Sequence, residues 1–103
     1  MHYAFTGSFR THPGRGGEFA TRLAEGAPAL WAAGCLTYLV AQAAADPDLV
    51  VVFEVWPSKQ EHDDSLQRPE VQAAIAALRP LLTGEFSGRE LGLVGGLGLP
   101  ADG

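Results

Sequence analysis

The sequence contains a single cysteine, Cys35, so it forms no intramolecular disulfide and has no cysteine spacing typical of a zinc site. No run of 18 apolar residues is present that would cross a membrane. The first residues, MHYAFTGSFR, do not place a cationic segment before an apolar one, so we expect no export signal and a cytoplasmic protein. Only seven Lys and Arg stand against twelve Asp and Glu, which argues against nucleic acid as a partner.

What the chain does contain is enough apolar sequence for one domain, with 47% hydrophobic residues among 103. Residues 2–10 alternate, with Tyr3, Phe5 and Phe9 on one face. Asp46-Pro47-Asp48 predicts a turn between two apolar segments. We assign residues 1–95 to the domain and 96–103 to a flexible, glycine-rich tail. Alternating or continuously apolar segments predict four strands, at residues 2–10, 35–43, 49–56 and 85–94.

Helical spacing of apolar residues predicts a helix over 15–33, which Pro28 should break near Gly26. Ser58 followed by Glu61 has the pattern of a capping box and predicts the start of a short helix. A further helix is expected over 69–82. Its buried stripe should consist of Val71, Ile75, Leu78 and Leu82.

These elements follow one another in the order β-α-β-β-α-β, which predicts a ferredoxin-like α+β fold with helices on one face of an antiparallel sheet. The second strand is apolar on both sides, with Tyr38 on one and Leu39 on the other. Helices would cover only one of these faces. A second subunit's sheet is the expected cover for the other, so we predict a homodimer packed sheet on sheet.

In three segments the sequence resembles the antibiotic biosynthesis monooxygenase-like family, which includes small quinol monooxygenases. The segments are HPGRGGEF (12–19), GCLTY (34–38) and FEVWPSKQEHDDSLQRPEVQAAIAALRPLL (53–82). The resemblance implies a dimeric α/β barrel with an apolar pocket between the sheet and the helices of each subunit. It also implies oxidation of a small phenol or quinol by molecular oxygen, with no flavin, haem or metal cofactor.

A cofactor-free oxygenase of this kind needs an apolar cavity and a base or hydrogen-bond acceptor for the phenol. We predict His62 as the base, with His2 as a further candidate. Helical spacing puts Ser65 and Leu66 on the same face as His62, and Leu66 should point inward. The predicted substrate-binding residues are Trp56 as a wall, Tyr38 as a hydroxyl partner, Ser65 and Leu66.

Glu54 lies on an apolar strand, where an unpaired carboxylate is expensive to bury. We expect it to form an ion pair with Arg10, Arg79 or Arg89, or to bind a backbone donor, and we keep the role of an alternative general base open. Metal binding by His62-Asp63-Asp64 is not expected, because adjacent helix residues point in different directions.

Ser65 departs from the family pattern, in which a histidine commonly precedes the leucine. A serine is not a base near neutral pH without its own activator. The haem-degrading branch fits worse, since its helix tryptophan falls on Ser65 and its iron-ligating histidine on Ile75. We therefore expect neither haem binding nor haem degradation.

The sequence thus predicts a cofactor-independent monooxygenase that acts on a phenolic or quinol-type small molecule. One alternative is a non-catalytic dimeric protein that binds a small molecule or is associated with stress. Another is an isomerase or lyase on the same fold, with Glu54 or His62 as its base.

Overall fold

A computed structural model describes residues 2–99 and contains a four-stranded antiparallel sheet with helices on one face. The predicted ferredoxin-like α+β fold is confirmed, with each helical segment divided into two helices. Residues 100–103 of the predicted tail lie outside the described residues. The strands are β1 (His2–Thr11), β2 (Thr37–Ala43), β3 (Asp46–Trp56) and β4 (Leu82–Leu93), side by side in the order β2-β3-β1-β4. The helices are α1 (Gly16–Glu25), α2 (Ala27–Ala32), α3 (Lys59–Ser65) and α4 (Pro69–Leu78), and a 3₁₀ turn, Arg79–Leu81, follows α4.

The break between α1 and α2 falls at Gly26, where it was predicted. Pro28 lies in the first turn of α2. A proline is tolerated there because the backbone N–H that it lacks would have no partner within the helix.

The predicted turn at 46–48 is wrong, because Asp46 already pairs with Ala43 and β3 begins at that residue. Two side chains explain the difference. The Asp46 carboxylate binds the Arg10 guanidinium of β1 at 2.8 Å. The Asp48 carboxylate accepts the backbone N–H groups of Gly14 and Gly16, both at 3.0 Å. The acidic residues therefore attach the start of β3 to β1 and to the loop before α1.

The sheet has a helix face and an open face. Phe9 lies on the helix face, with its ring centroid 5.5 Å from that of Phe19 in α1. The predicted alternation of β1 is confirmed by such contacts, since Tyr3 and Phe5 reach α3 on the same side. The buried centre of the core consists of Phe19, Val50, Leu78 and Leu81.

The open face carries the alternate side chains of each strand, among them Leu39, which is 62% exposed. Residues 94–99 lie against part of this face. The Thr37 hydroxyl donates a hydrogen bond to the carbonyl of Gly98 at 3.2 Å. A cavity of about 240 Å³ separates this segment from the sheet and is lined by Leu39, Phe53 and Leu97, among others. That a second subunit covers the open face remains a prediction.

Two glycines form a pair between β1 and β4, where Gly7 is directly opposite Gly88. The rings of Phe5 and Phe86 stack over this pair, with centroids 6.5 Å apart and planes 15° apart. A Cβ atom at position 88 would lie 2.9 Å from Cζ of each ring. The absence of a side chain at this position is what allows the rings to lie close to the backbone.

Candidate functional site

Helix α3 follows β3 directly and begins at the predicted cap. The Ser58 hydroxyl oxygen accepts the backbone N–H of Glu61 at 3.3 Å, which confirms Ser58 as the N-cap residue. The helix then runs for seven residues, and its buried residues are His62 and Ser65. The cap therefore fixes where α3 begins, and His62 and Ser65 are on the side that packs on the sheet.

His62 is 9% exposed and lies among three aromatic rings of the sheet. The centroid of its ring is 5.1 Å from that of Tyr3, 5.5 Å from Phe5 and 5.8 Å from Trp56. Its Nδ1 atom lies 3.0 Å from Oδ1 of Asp63, and its Nε2 atom lies 4.0 Å from Oε1 of Glu54. The imidazole is thus placed between a carboxylate at the surface and one in the interior.

Glu54 is bound by Trp56 and not by an arginine, so the expected ion pair with Arg10, Arg79 or Arg89 is wrong. The indole N–H of Trp56 donates to Oε1 of Glu54 at 2.9 Å. Arg10 is engaged by Asp46 at the far end of β1.

Burial raises the pKa of the Glu54 carboxyl above its usual range. The hydrogen bond from Trp56 and the nearby His62 lower the pKa in part. A buried carboxyl with a raised pKa is suited to accept and release a proton closer to neutral pH than an exposed one.

Ser65 is 2% exposed, and its hydroxyl donates to the backbone carbonyl of His62 at 2.6 Å. This bond stays within α3 and occupies the hydroxyl without any ligand. Leu66 is 42% exposed, so the expectation that it points inward is wrong. Leu66 is the C-cap residue, where the helix ends, so its spacing from His62 does not determine how far its side chain is covered.

An apolar cavity of about 120 Å³ lies between the sheet and helices α1, α2 and α4. Tyr38 forms part of its wall, and Arg22 and Glu70 are the charged residues of its lining. The remaining lining residues are Leu23, Gly26, Ala29, Leu30, Val71, Ala74, Ile75 and Leu78. The cavity is suited to an apolar ligand that presents few polar groups.

This cavity explains why the predicted buried stripe of α4 is only partly correct. Leu78 is 7% exposed, but Ile75 is 38% exposed and Val71 is half-buried. Leu82 belongs to β4 and not to the helix. Val71 and Ile75 face the cavity, whereas Leu78 also packs in the core.

Tyr38 connects the cavity to the buried carboxyl. It is directly opposite Glu54 in the β2–β3 ladder, so both side chains extend from the helix face of the sheet. Burial raises the pKa of the Tyr38 hydroxyl, and the charge of Glu54 raises it further. Tyr38 therefore stays protonated at neutral pH and offers the cavity a neutral hydroxyl group.

The structure brings Glu54, Trp56 and His62 together, with Tyr38 beside Glu54. The lining of the cavity includes Tyr38 but not Trp56, His62 or Ser65. The expectation of one cavity around these three residues is therefore wrong for this cavity, since Trp56 and His62 are enclosed by protein.

The sequence reasoning missed three contributors. Tyr3 and Phe5 enclose His62, and the strand alternation that put them on one face could have indicated this. The third is Asp63, whose Oδ1 atom lies 3.0 Å from Nδ1 of His62 while its side chain is 45% exposed. Within residues 2–99, no group of three or more His, Cys, Asp or Glu side chains is arranged so that it could hold a metal ion. The helices described are also too short or too polar to span a membrane.

Comparison with known proteins decides the family, because the family model for antibiotic biosynthesis monooxygenase matches residues 3–77. The chain belongs to this family. No protein among the curated sequences matches it.

One similar solved structure is a candidate antibiotic biosynthesis monooxygenase from Chloroflexus aurantiacus J-10-fl. It is 40% identical, with a TM-score of 0.84, over 97% of this chain and 100% of the other.

Two more distant structures share the fold of this antibiotic biosynthesis monooxygenase family member. A variant of SnoaB, a cofactor-independent oxygenase from Streptomyces nogalater, is 21% identical with a TM-score of 0.78, over 93% of this chain and 96% of the other. Rv0793 from Mycobacterium tuberculosis is 20% identical with a TM-score of 0.78, over 95% of this chain and all of the other.

Proposed function

We propose that the protein is a cofactor-independent monooxygenase that oxidises a phenolic or quinol-type small molecule in the cavity beneath α4. Membership of the antibiotic biosynthesis monooxygenase family supports an oxygenase. SnoaB, which has the same fold, is a cofactor-independent oxygenase. The observation that carries the proposal is the apolar cavity with Tyr38 in its wall and Glu54 directly opposite Tyr38 in the β2–β3 ladder.

The size of the cavity favours a substrate with one aromatic ring. Its volume is about 120 Å³. An engineered apolar cavity of about 150 Å³ binds benzene, whereas pockets for drug-sized ligands measure about 300–1,000 Å³. A hydroquinone with small substituents is therefore the substrate class that we infer, in preference to a fused-ring phenol.

A hydroquinone itself supplies the electrons that the reaction requires. It loses four electrons to O2, one oxygen atom enters the ring to give a hydroxyquinone, and the other leaves as water. The reaction starts when a base removes a hydroxyl proton, because the resulting phenolate reduces O2 more readily. Tyr38 orients the substrate hydroxyl, and the proton passes by way of Tyr38 to Glu54, which lies opposite Tyr38 and outside the cavity lining. The apolar lining excludes water. His62 acts behind Glu54 in this arrangement.

The test follows O2 uptake by the purified protein with a panel of single-ring hydroquinones and anthrone-like phenols, and uses ¹⁸O2 to trace the product oxygen. We expect uptake above the uncatalysed rate with single-ring substrates and one labelled oxygen atom in the product. Ala74→Leu fills the cavity and should lower kcat/KM by about tenfold or more. Ala73→Leu is the matched control, because Ala73 lies on α4 outside the cavity lining.

A second candidate function is binding without chemistry. It is favoured by the enclosure of His62 and Trp56 and by the fact that every buried side-chain nitrogen and oxygen atom among the described residues has a hydrogen-bond partner. Ligand binding with no O2 uptake would support this function and refute the monooxygenase. Turnover without O2 uptake would instead indicate an isomerase or lyase.

We also propose that the protein forms a homodimer through the open face of the sheet and that it is located in the cytoplasm.

A further inference from the structure

The structure contains a series of neighbouring ionisable side chains that runs from the interior, next to Tyr38 of the cavity wall, to the surface. We propose that Glu54, His62 and Asp63 form a proton pathway, in which His62 carries protons between the buried carboxyl and the exposed one. The use of this pathway in catalysis rests on the proposed function. The pathway itself is defined by the three side chains.

The inner step joins Glu54 to His62. The Glu54 side chain is 15% exposed and that of His62 is 11% exposed, so bulk water has little access to either. Their gap of 4.0 Å is about 1 Å longer than a hydrogen bond. Catalytic hydrogen bonds in ligand-free structures are often long and shorten when substrate binds. The inner proton transfer therefore requires a side-chain rotation that shortens this distance.

The outer step joins His62 to Asp63. Nδ1 of the imidazole lies 3.0 Å from Oδ1 of Asp63, whose side chain is 45% exposed. Lys59 holds the other oxygen of this carboxylate at 3.2 Å and also contacts Glu90 at 3.0 Å. The hydroxyl of Tyr3 donates to the same oxygen of Glu90 at 3.0 Å. These bonds to β4 and β1 keep Asp63 oriented toward the imidazole.

The environment of His62 favours proton transfer from Glu54 through the imidazole to Asp63. The rings of Tyr3, Phe5 and Trp56 enclose the imidazole and leave its two nitrogen atoms directed to the two carboxylates. The charged groups that face it are Glu54 from β3 and Asp63 from α3, with Lys59 and Glu90 one contact further out. A proton that Glu54 has accepted moves to Nε2, and the imidazolium then releases the Nδ1 proton to Asp63 and water. Exchange with water restores the starting tautomer.

A structural measurement tests the pathway without any turnover. The ¹³C resonance of the Glu54 carboxyl is followed against pH in the unmodified protein. We expect this resonance to show two inflections, because interacting sites titrate as a pair. Asp63→Asn should shift both inflections. Asp64→Asn is the matched control, since Asp64 is the neighbouring residue and bonds to Gln60, and should shift neither. A single inflection, or no response to Asp63→Asn, would overturn the pathway.

A kinetic measurement tests whether the proton pathway is used in catalysis. With an active hydroquinone, Asp63→Asn should lower kcat by about tenfold or more in dilute buffer. Added imidazole buffer should restore the rate, because a diffusible base can take protons from His62 when Asp63 cannot. Asp64→Asn should stay within about twofold of the unmodified protein, and a purely structural role of Asp63 would give no dependence on buffer concentration.

If no hydroquinone or phenol is oxidised, the proposed function fails, and the titration of Glu54 still decides whether the pathway exists. If Asp63→Asn turns over normally at every buffer concentration, the catalytic use of the pathway is refuted, and the monooxygenase proposal stands.

Discussion

The hydrogen bond from Trp56 to Glu54 provides the sharpest test of how the buried carboxyl is held. Trp56→Phe removes the donor and keeps an aromatic ring, while Glu54→Gln keeps an acceptor and removes the charge. The bond is 2.9 Å long, Trp56 is fully buried and the Glu54 side chain is 15% exposed. Solvent therefore screens the interaction only weakly.

The magnitude follows from the charge of the acceptor. A hydrogen bond to a charged group contributes about 1.5–3 kcal/mol and one between neutral groups about 0.5–1.5 kcal/mol. The double-mutant cycle should therefore give a coupling free energy of about 1–1.5 kcal/mol while Glu54 is ionised. Acidification protonates Glu54 and should bring the coupling close to zero.

The raised pKa of Glu54 also determines whether the free energy of unfolding rises or falls with pH. Burial raises the pKa of Glu54 in the folded protein, so the folded state binds more protons than the unfolded state between the two pKa values. The free energy of unfolding therefore falls as pH rises through this interval. Glu54→Gln removes this loss, whereas Trp56→Phe raises the pKa of Glu54 further and extends the loss to higher pH.

The assay is urea unfolding followed by circular dichroism for the four proteins at several pH values between 4 and 8. Tryptophan fluorescence is less suitable because Trp56→Phe removes one of the two fluorophores. A coupling below about 0.5 kcal/mol at pH 8 lies within the scatter expected of independent sites and would refute the reasoning.

Two further predictions concern the loop before α1 and the open face. Asp48→Asn should lower the urea midpoint near neutral pH: the N–H groups of Gly14 and Gly16 lower the pKa of Asp48, so its stabilising effect is lost as pH falls through the folded-state value. The difference from the unmodified protein should vanish in acid, and a constant difference would contradict this account. Leu39→Lys places a charge at a position that is 62% exposed on the open face, and should convert the expected dimer to a 10.8 kDa monomer in light scattering. Glu25→Lys on α1 is the surface control, and a monomeric unmodified protein would refute the dimer.

Local sequence patterns predicted the elements better than the contacts between them. The alternation in β1 and the Ser58 cap depend on neighbouring residues, so the faces of β1 and the start of α3 could be derived from the sequence. Trp56, the partner of Glu54, lies two residues further along the same strand, but whether Arg10 can reach Glu54 depends on the register between β1 and β3. Glu54 pairs with Phe5, which puts it on the helix face, while Arg10 lies five residues further along β1 on the other face. No local pattern contains that register.

The candidate site was predicted in part for the same reason. The sequence indicated that Trp56, His62 and Tyr38 belong to one region, and the structure places them on one side of the sheet. The direction of Leu66 was wrong because a helix of seven residues leaves its buried side poorly defined by spacing alone. The family resemblance implied an apolar pocket between the sheet and the helices, but its position beneath α4 could not be predicted, because an apolar stripe has the same sequence pattern whether it contacts packed side chains or empty space.

The glycine pair between β1 and β4 has a consequence for how the chain tolerates mutation. Position 88 lies on an exposed edge strand, where substitutions are ordinarily neutral. A methyl group there would displace Phe5, and Phe5 is one of the rings that enclose His62. Saturation mutagenesis should therefore show that substitutions of Gly88 are tolerated as poorly as those of the buried residues around the imidazole. Gly88 is accessible to solvent and contacts none of the ionisable groups.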